Sequence, residues 1–122
     1  MARSVLLQLA RDSIQEVLEA QRTIKKQDLL TAHPLLNQTM ATTVKLYIGE
    51  ELRGEATTTL PSFSLLEDII KNAKIAAFED KNFTPITTSE YLNCEIELLL
   101  VTEDGVISER DPSILKTTSF SI

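Results

Sequence analysis

The stretch that decides the fold is residues 44–59, which read VKLYIGEELRGEATTT. Every second residue in its first half is apolar, which is the period of a β-strand with one buried face: Val44, Leu46 and Ile48. A Gly-Glu pair at positions 49–50 supplies a turn. The chain then returns to residue 59 through a threonine-rich segment, which suits a strand because threonine is branched at Cβ. The stretch therefore predicts a β-hairpin.

Amphipathic helices are predicted on both sides of the hairpin. Over residues 4–21, apolar residues recur at three- and four-residue intervals with charged residues between them, so one stripe of this helix must cover an apolar surface. Ser64 and Glu67 have the spacing of a capping box, and the same periodicity continues from there to about Glu79. Between the first helix and the hairpin, residues 23–40 show no clear period and predict a long connection.

The second half of the chain predicts further strands. Apolar residues alternate with acids over positions 94–100, which indicates a strand with one solvent-exposed face, and residues 87–90 suit a single helical turn before it. A short return at 106–107 follows an Asp-Gly turn, and residues 116–122 suit a last strand. The predicted fold class is therefore α+β, a single domain over residues 1–122 in which two amphipathic helices pack on one face of a mostly antiparallel β-sheet.

Composition argues against several classes of function. Twelve basic against eighteen acidic residues give a net charge of −6, and the acidic second half would repel a polyanion, so we expect no nucleic-acid binding. The apolar runs are far short of the ~20 residues that cross a bilayer, and the N-terminus lacks the apolar core of a secretory signal. We therefore expect no membrane association and a cytoplasmic location. Cys94 is the only cysteine, which rules out an internal disulfide and a thiolate metal cage, and we expect no metal or cofactor.

Several short motifs follow one another along the chain: Leu9-Ala10-Arg11, Leu52-Arg53-Gly54, Ala76-Ala77-Phe78-Glu79-Asp80, Phe83-x-Pro85, Glu90-Tyr91-Leu92 and Glu95-Ile96-Glu97-Leu98. In this order they resemble the AMMECR domain family, whose bacterial and archaeal members are also called AmmeMemoRadiSam system protein A. The resemblance runs from about residue 5 to residue 103, and its most specific piece spans Ala73 to Pro85. It implies association with a Memo-like protein and a radical S-adenosylmethionine protein, with which family members are encoded or fused, and it implies no settled reaction.

Two departures from the family pattern bear on function. Relatives continue the hairpin motif as Leu-Arg-Gly-Cys-Ile-Gly, whereas Glu55, Ala56 and Thr57 follow Gly54 here. A carboxylate cannot replace a soft thiolate, so any chemistry that depends on that cysteine in relatives would be lost or changed. The resemblance also implies a further C-terminal segment with its own strands and helix. Because the chain stops at Ile122, we expect that segment to be absent.

The candidate ligand-binding residues are Arg53, Gly54, Glu55, Glu79 and Asp80. An arginine beside a bare glycine backbone suits contact with an anion, since a guanidinium donates two parallel hydrogen bonds. The structural alternative is that Arg53 pairs with Glu79 or Asp80 and attaches the hairpin to the helix end. Gly54 would then mark only a bulge or a close approach of the helix backbone. Both interpretations remain open at this level.

Other conspicuous residues are given structural roles. Cys94 is predicted to be a small buried apolar residue, and Phe83 to pack against the core after the second helix. His33 has no cysteine or carboxylate at ligand spacing and is predicted to be a loop residue without a role. Glu95 and Glu97 lie on one face of their strand, where alternating acids on an edge-like strand more often prevent its pairing than catalyse.

Two functions are compatible with these residues. The first is a non-catalytic binding or assembly module with an unidentified protein partner, linked through the resemblance to a Memo-like and radical S-adenosylmethionine system. The alternative is an enzyme or enzyme component that acts on a small anionic substrate at the Arg53 and Glu55 hairpin, next to the end of the second helix. That site requires a carboxylate of raised pKa beside Arg53. If the absent segment covers a sheet face or edge in relatives, we expect this chain to protect that surface by forming a homodimer.

Overall fold

The computed structural model describes residues 4–102 and 105–111 of the chain. Its elements in chain order are α1 (Val5–Glu19), α2 (Lys26–Ala32), a 3₁₀ turn (Pro34–Asn37), β1 (Thr42–Ile48), β2 (Glu51–Thr57), α3 (Leu65–Lys74) with a π-helical turn (Ile75–Glu79), α4 (Thr88–Leu92), β3 (Cys94–Thr102) and β4 (Gly105–Asp111). This combination of helices and strands confirms the predicted α+β class. Within the described ranges, no helix is both long enough and apolar enough to cross a membrane.

Helix α1 begins and ends close to the predicted limits. The Ser4 hydroxyl accepts a hydrogen bond from the Leu7 N–H at 3.2 Å, which satisfies one of the donors that the first turn leaves unpaired. Ala20 ends the helix in the left-handed conformation with φ at 53°, and its N–H donates to the Val17 carbonyl oxygen at 3.2 Å. The apolar stripe faces the core, where Ile14 is completely buried.

Helix α3 begins at its predicted capping residue. The Ser64 hydroxyl accepts a hydrogen bond from the Glu67 N–H at 3.3 Å. After Lys74 the helix widens into the π-helical turn of Ile75–Glu79, so the predicted end is confirmed although the last turn is not α-helical. Its small buried residues, including Ala76, bring this turn against β2.

The four strands form one antiparallel sheet in the order β2-β1-β3-β4. Strands β1 and β2 are the predicted hairpin, in which Thr43 lies opposite Thr57 with their hydroxyl oxygens 3.1 Å apart. Strand β3 pairs with β1 on one side and with β4 on the other. The prediction that Glu95 and Glu97 lie on an edge-like strand is therefore wrong, because the return strand β4 is longer than predicted and pairs along that edge.

The predicted long connection before the hairpin contains two short elements, α2 and the 3₁₀ turn. Pro34 opens the turn, and Leu36 within it is buried in the core. Elements of this length carry too few apolar positions to show a period in the sequence. The helical turn predicted at residues 87–90 is confirmed as α4. The strand predicted at residues 116–122 lies outside the described residues.

The two faces of the sheet differ in chemistry. The inner face packs under α1 and α3, as predicted, and is completely buried: Val44, Leu46, Ile96 and Leu98. Along each strand, residues of the outer face alternate with those of the inner face. Outer-face residues are half-buried or exposed and include Thr43, Lys45, Tyr47, Glu55, Glu95, Glu97, Leu99, Val101, Ser108 and Arg110. These side chains are not part of the buried core that the inner face forms with the helices.

Candidate functional site

A β-bulge in the hairpin sets Arg53 apart from its neighbours. Leu46 pairs with Gly54 and Tyr47 pairs with Leu52, so Arg53 is the extra residue with no partner on β1. A bulge changes which side of the sheet the following side chains face. Arg53 and Gly54 are accordingly consecutive buried residues, and Arg53 is only 9% exposed. The bulge predicted at this motif is confirmed.

Gly54 is the point where the hairpin touches the π-helical turn. A Cβ atom at this position would lie 2.0 Å from the carbonyl oxygen of Ala76. That distance is far inside van der Waals contact, and the obstructing atom belongs to the backbone, so only glycine permits the approach. The predicted close approach of the helix backbone is thus also confirmed.

The Arg53 guanidinium is held inside the protein. Its Nε and Nη2 donate to the two carboxylate oxygens of Glu90 at 2.9 and 3.0 Å, and Nη2 also donates to the Thr84 carbonyl oxygen at 2.8 Å. Such a two-pronged contact is among the stronger hydrogen-bonding arrangements in proteins. The guanidinium carbon also lies 5.4 Å from the centre of the Phe83 ring, within the range of a cation–π contact. We call Arg53, Phe83, Thr84 and Glu90 the Arg53 cluster.

The partner of Arg53 is not the one that the sequence predicts. The sequence predicts pairing with Glu79 or Asp80 at the end of the second helix, whereas the ion pair is formed with Glu90 in α4. The reason is the bulge, which turns the side chain inward, where the segment leading into α4 lies. Arg53 therefore attaches the hairpin to α4 and not to the helix end.

The helix end is attached to the hairpin by a backbone contact instead. Asp80 accepts hydrogen bonds from the N–H of Glu55 at 3.0 Å and from the N–H of Asn82 at 2.9 Å. The Glu55 side chain lies on the outer face of the sheet, 3.6 Å from the Lys45 ammonium. Glu79 is exposed. Four of the five predicted site residues thus meet around the bulge, with Glu79 beside them but outside these hydrogen bonds.

Glu90 connects Arg53 to the start of α4. Its carboxylate accepts a hydrogen bond from the Thr87 N–H at 3.1 Å, and the Thr87 hydroxyl accepts one from the Glu90 N–H at 3.2 Å, which together form a capping box. The hydrogen bonds from Arg53 and then Thr87 lower the pKa of Glu90 from its ordinary 4.5 to about 2. The same pairing raises the pKa of Arg53. At neutral pH, Glu90 is therefore ionised and is a weak general base.

An open depression of about 940 Å³ lies beside Glu90. Its charged lining consists of Glu50, Glu90, Glu95 and Arg110. Arg110 is 3.6 Å from Glu95, so its charge is balanced within the depression. Three carboxylates against one guanidinium give these walls a net negative charge, which disfavours a small anion.

Arg11 is a buried ion-pair residue that the sequence patterns do not reveal. It is 1% exposed and pairs with Asp111 at the end of β4, while its Nη2 donates to the Cys94 carbonyl oxygen at 2.7 Å. Its guanidinium carbon lies 5.3 Å from the centre of the Tyr91 ring. One side chain thereby joins α1 to β3, β4 and α4. Helical periodicity groups it with the solvent-facing residues, and the signal that singles it out is the Leu9-Ala10-Arg11 motif.

A second buried polar group, centred on Asp68, attaches α3 to the hairpin. Asp68 is completely buried and accepts hydrogen bonds from the Thr42 N–H at 2.9 Å, the Thr42 hydroxyl at 2.7 Å and the Thr58 hydroxyl at 2.8 Å. The Asn72 side-chain amide donates to the Thr42 carbonyl oxygen at 3.1 Å. The sequence accounts for the threonines only as strand formers, and an acid in a helix is ordinarily taken as exposed.

The remaining predicted residues have no place in this site. Cys94 is completely buried, and burial raises its thiol pKa to about 11, which confirms its predicted role as a small apolar residue. His33 is half-buried between α2 and the 3₁₀ turn. Across residues 4–102 and 105–111, no group of three or more His, Cys, Asp and Glu side chains could hold a metal ion.

The fold and the Arg53 cluster define a small α+β protein in which helices cover one face of a four-stranded antiparallel sheet and an internal arginine–carboxylate pair fixes a bulged hairpin. The chain belongs to the AMMECR1 family, whose family model matches residues 7–117, and this confirms the resemblance. It is similar to the crystal structure of the uncharacterized protein PH0010 from Pyrococcus horikoshii, with a TM-score of 0.71 and 29% sequence identity over 80% of this chain and 49% of that chain. This chain thus spans about half the length of that solved protein. No curated protein matched in the comparison.

Proposed function

We propose that this protein is a non-catalytic binding or assembly module that recognises a protein partner through the outer face of its sheet. The observation that carries the proposal is the Arg53 cluster. Arg53 is the motif residue best suited to hold an anion, yet its Nε and Nη2 donate to Glu90 and Thr84 within the chain. The motif thereby supports the fold and leaves recognition to another surface.

The chemistry around the motif supports the same proposal. A general base or nucleophile at the hairpin needs a pKa near neutral pH. The carboxylate that touches Arg53 belongs to Glu90, whose pKa is lowered to about 2, and the Cys94 thiol is buried with a pKa of about 11. Glu55, which stands where the family resemblance implies the motif cysteine, lies near Lys45 on the outer face.

The outer face has the chemistry of a recognition surface. It combines acidic and basic side chains with a half-buried tyrosine and exposed aliphatic residues such as Val101, 54% exposed. A non-obligate interface is about as polar as the rest of a protein surface, so this mixed composition is compatible with one. The family resemblance supplies candidate partners, a Memo-like protein and a radical S-adenosylmethionine protein, and we propose such a cytoplasmic system as the setting.

One observation favours the alternative of an enzyme or enzyme component acting on a small anionic substrate. Nη1 of Arg53 is buried, and no residue in the described part of the chain accepts a hydrogen bond from it. A buried donor without an acceptor is uncommon, and an anion could satisfy it. Because the atom is buried, such an anion requires the residues around Nη1 to move apart first.

The test compares partner capture by matched variants. Wild type, Lys45→Glu on the outer face and Arg53→Lys in the cluster are immobilised, exposed to native cell extract, and the retained proteins and small molecules are identified by mass spectrometry. Lys81→Glu is the control, because it makes the same charge reversal at an exposed residue outside the four strands. Circular dichroism establishes that each variant is folded.

We expect the same partner on wild type, on Lys81→Glu and on folded Arg53→Lys, and its loss on Lys45→Glu. The proposal is contradicted if Lys45→Glu retains the partner while folded Arg53→Lys loses a partner or a small anion. That result would place function at the hairpin motif and favour the enzyme.

A further inference from the structure

A row of alternating charges crosses the outer face at right angles to the strands. The strand register places Lys45 of β1 opposite Glu55 of β2 on one side and opposite Glu97 of β3 on the other. Glu97 in turn lies opposite Arg110 of β4. From β2 to β4 the row therefore reads acid, base, acid, base. We call Glu55, Lys45, Glu97 and Arg110 the charge row.

Side chains of the charge row are accessible and have hydrogen-bonding capacity to spare. Side-chain exposure is 32% for Lys45, 41% for Glu55 and 54% for Arg110. Within the chain, Lys45 lies 3.6 Å from Glu55, Arg110 lies 3.6 Å from Glu95, and Glu97 accepts one hydrogen bond from the Tyr47 hydroxyl at 3.2 Å. An ammonium group has three donors and a carboxylate has about four acceptor positions. Each charge in these pairs can thus accept a second partner from an opposing surface.

The order of the charge row makes it complementary to itself. A two-fold axis that runs parallel to the strands, between β1 and β3, lays β2 of one copy over β4 of a second copy and β1 over β3. Glu55 then faces Arg110 of the second copy, and Lys45 faces Glu97. Every acid meets a base. A two-fold axis that runs across the strands, along the row, would instead place each residue over the same residue of the second copy. Acids would then face acids and bases would face bases, and these like charges repel one another.

We propose that the outer face binds a second copy of this chain about the two-fold axis that runs parallel to the strands. This proposal rests on the proposed function, because it names the partner of the same surface. Tyr47, Leu99 and Val101 lie on that face and add apolar area beside the charges. Two sheets that pack face to face lie ~10 Å apart with their side chains interdigitating, a spacing that brings opposed charged side chains within reach of one another.

The size of the face predicts a weak dimer. Four strands spaced ~4.8 Å apart, each at least seven residues long at ~3.3 Å per residue, give a face of about 19 by 23 Å. That is small beside the roughly 800 Å² per partner of a standard interface. Charged contacts at the surface are also weakened by salt. The dimer is therefore expected to dissociate on dilution and at high ionic strength.

The test is sedimentation of the purified full chain over a concentration series at low salt. Lys45→Glu and Glu97→Lys each create two like-charge contacts across the axis, so both variants are expected to remain monomeric where wild type dimerises. In the double variant Lys45→Glu/Glu97→Lys, each residue of the row again faces an opposite charge on the second copy. This variant is expected to dimerise again. Lys81→Glu, which changes the net charge as Lys45→Glu does but at an exposed residue outside the strands, is expected to behave as wild type.

Three outcomes overturn the inference: a wild type that stays monomeric at every concentration, single variants that dimerise like wild type, or a double variant that stays monomeric although folded. Its failure is distinguishable from failure of the proposed function. If the wild type is monomeric but still captures a protein from the extract, and Lys45→Glu loses that protein, the second copy is refuted as the partner. The proposal of a binding module would then stand. A small anion captured through Arg53 refutes the binding module whatever the sedimentation shows.

Discussion

At the scale of single residues, the Arg53 side chain acts through its planar fork. Nε and Nη2 reach both oxygens of Glu90, and Nη2 reaches the Thr84 carbonyl oxygen as well. A lysine carries the same charge but cannot reproduce this fork. The contribution of Arg53 therefore depends on geometry as much as on charge, which gives a graded set of substitutions.

Arg53→Ala is expected to lower the free energy of unfolding by about 2 kcal/mol, because it removes hydrogen bonds to a charged partner and leaves the Thr84 carbonyl without its donor. Arg53→Lys is expected to lower the free energy of unfolding by a smaller amount. Urea denaturation measures both, with Lys81→Ala as an exposed control that should stay within about 0.5 kcal/mol of wild type. An Arg53→Ala variant as stable as the control would show that the cluster does not stabilise the fold.

The pKa of Glu90 predicts how this contribution changes with pH. The carboxylate is held near pKa 2 in the folded protein, against 4.5 ordinarily, so the unfolded chain takes up the proton first as pH falls. The stabilisation is therefore complete above about pH 4.5 and is lost as pH falls towards 2. Since the Glu90 side chain is 35% exposed, salt weakens the effect.

The measurement is urea denaturation of wild type and Glu90→Gln at a series of pH values. The difference in unfolding free energy should be largest near neutral pH and should narrow below pH 4.5. A difference that stays constant from pH 7 to acid pH would mean that the Glu90 charge does not contribute.

At the scale of the elements, Gly54 tests how the hairpin meets the π-helical turn. Gly54→Ala is expected to cost about 3 kcal/mol, because the added Cβ would collide with the Ala76 carbonyl oxygen and separate β2 from the turn. Gly49→Ala is the matched control. Gly49 has φ at 65° but open space around it, so its substitution costs only about 1 kcal/mol of backbone strain. Equal losses in thermal or urea unfolding would contradict the close approach.

The buried Asp68 group gives a second prediction at this scale. Asp68→Ala leaves the Thr42 N–H and two threonine hydroxyls without their acceptor, and we expect a loss of about 3 kcal/mol together with faster hydrogen exchange at the Thr42 amide. Glu67→Ala is the control, since Glu67 pairs with Lys26 at the surface. Its loss should lower the free energy of unfolding by less than about 1 kcal/mol. Unchanged exchange at Thr42 would rule out the attachment of α3 to β1.

Elements with a clear period or cap could be predicted from the sequence, and irregular ones could not. The hairpin and both long helices follow from alternation, helical stripes and the capping residue Ser64, and residues 87–90 indicate the helical turn that α4 contains. Helix α2 has seven residues, too few to show a stripe. The partner of Arg53 was missed for a similar reason. A bulge changes which face of the sheet the next side chains point to, and it leaves no clear mark in the hydrophobic pattern of the strand.

At the scale of the whole molecule, the decisive contacts join residues that are distant in sequence. Arg11 meets Asp111 across 100 positions, and this pairing becomes visible only once α1 lies over the end of β4. The charge row likewise exists only because the register aligns residues from four strands. Local patterns specify the elements, whereas tertiary packing determines which side chains meet, so the sequence singles out Arg53 but leaves its role open.

The measurement that tests the central claim most directly is a nuclear magnetic resonance titration of the protein with inorganic phosphate and with succinate, following the Arg53 Nε–H and the Glu55 backbone amide. If Arg53 is a structural residue, both signals should stay unchanged at millimolar anion, and the Nε–H should exchange slowly with water because Glu90 holds it. A saturable shift of the Arg53 and Glu55 signals with either anion would contradict the account and place a ligand site at the hairpin.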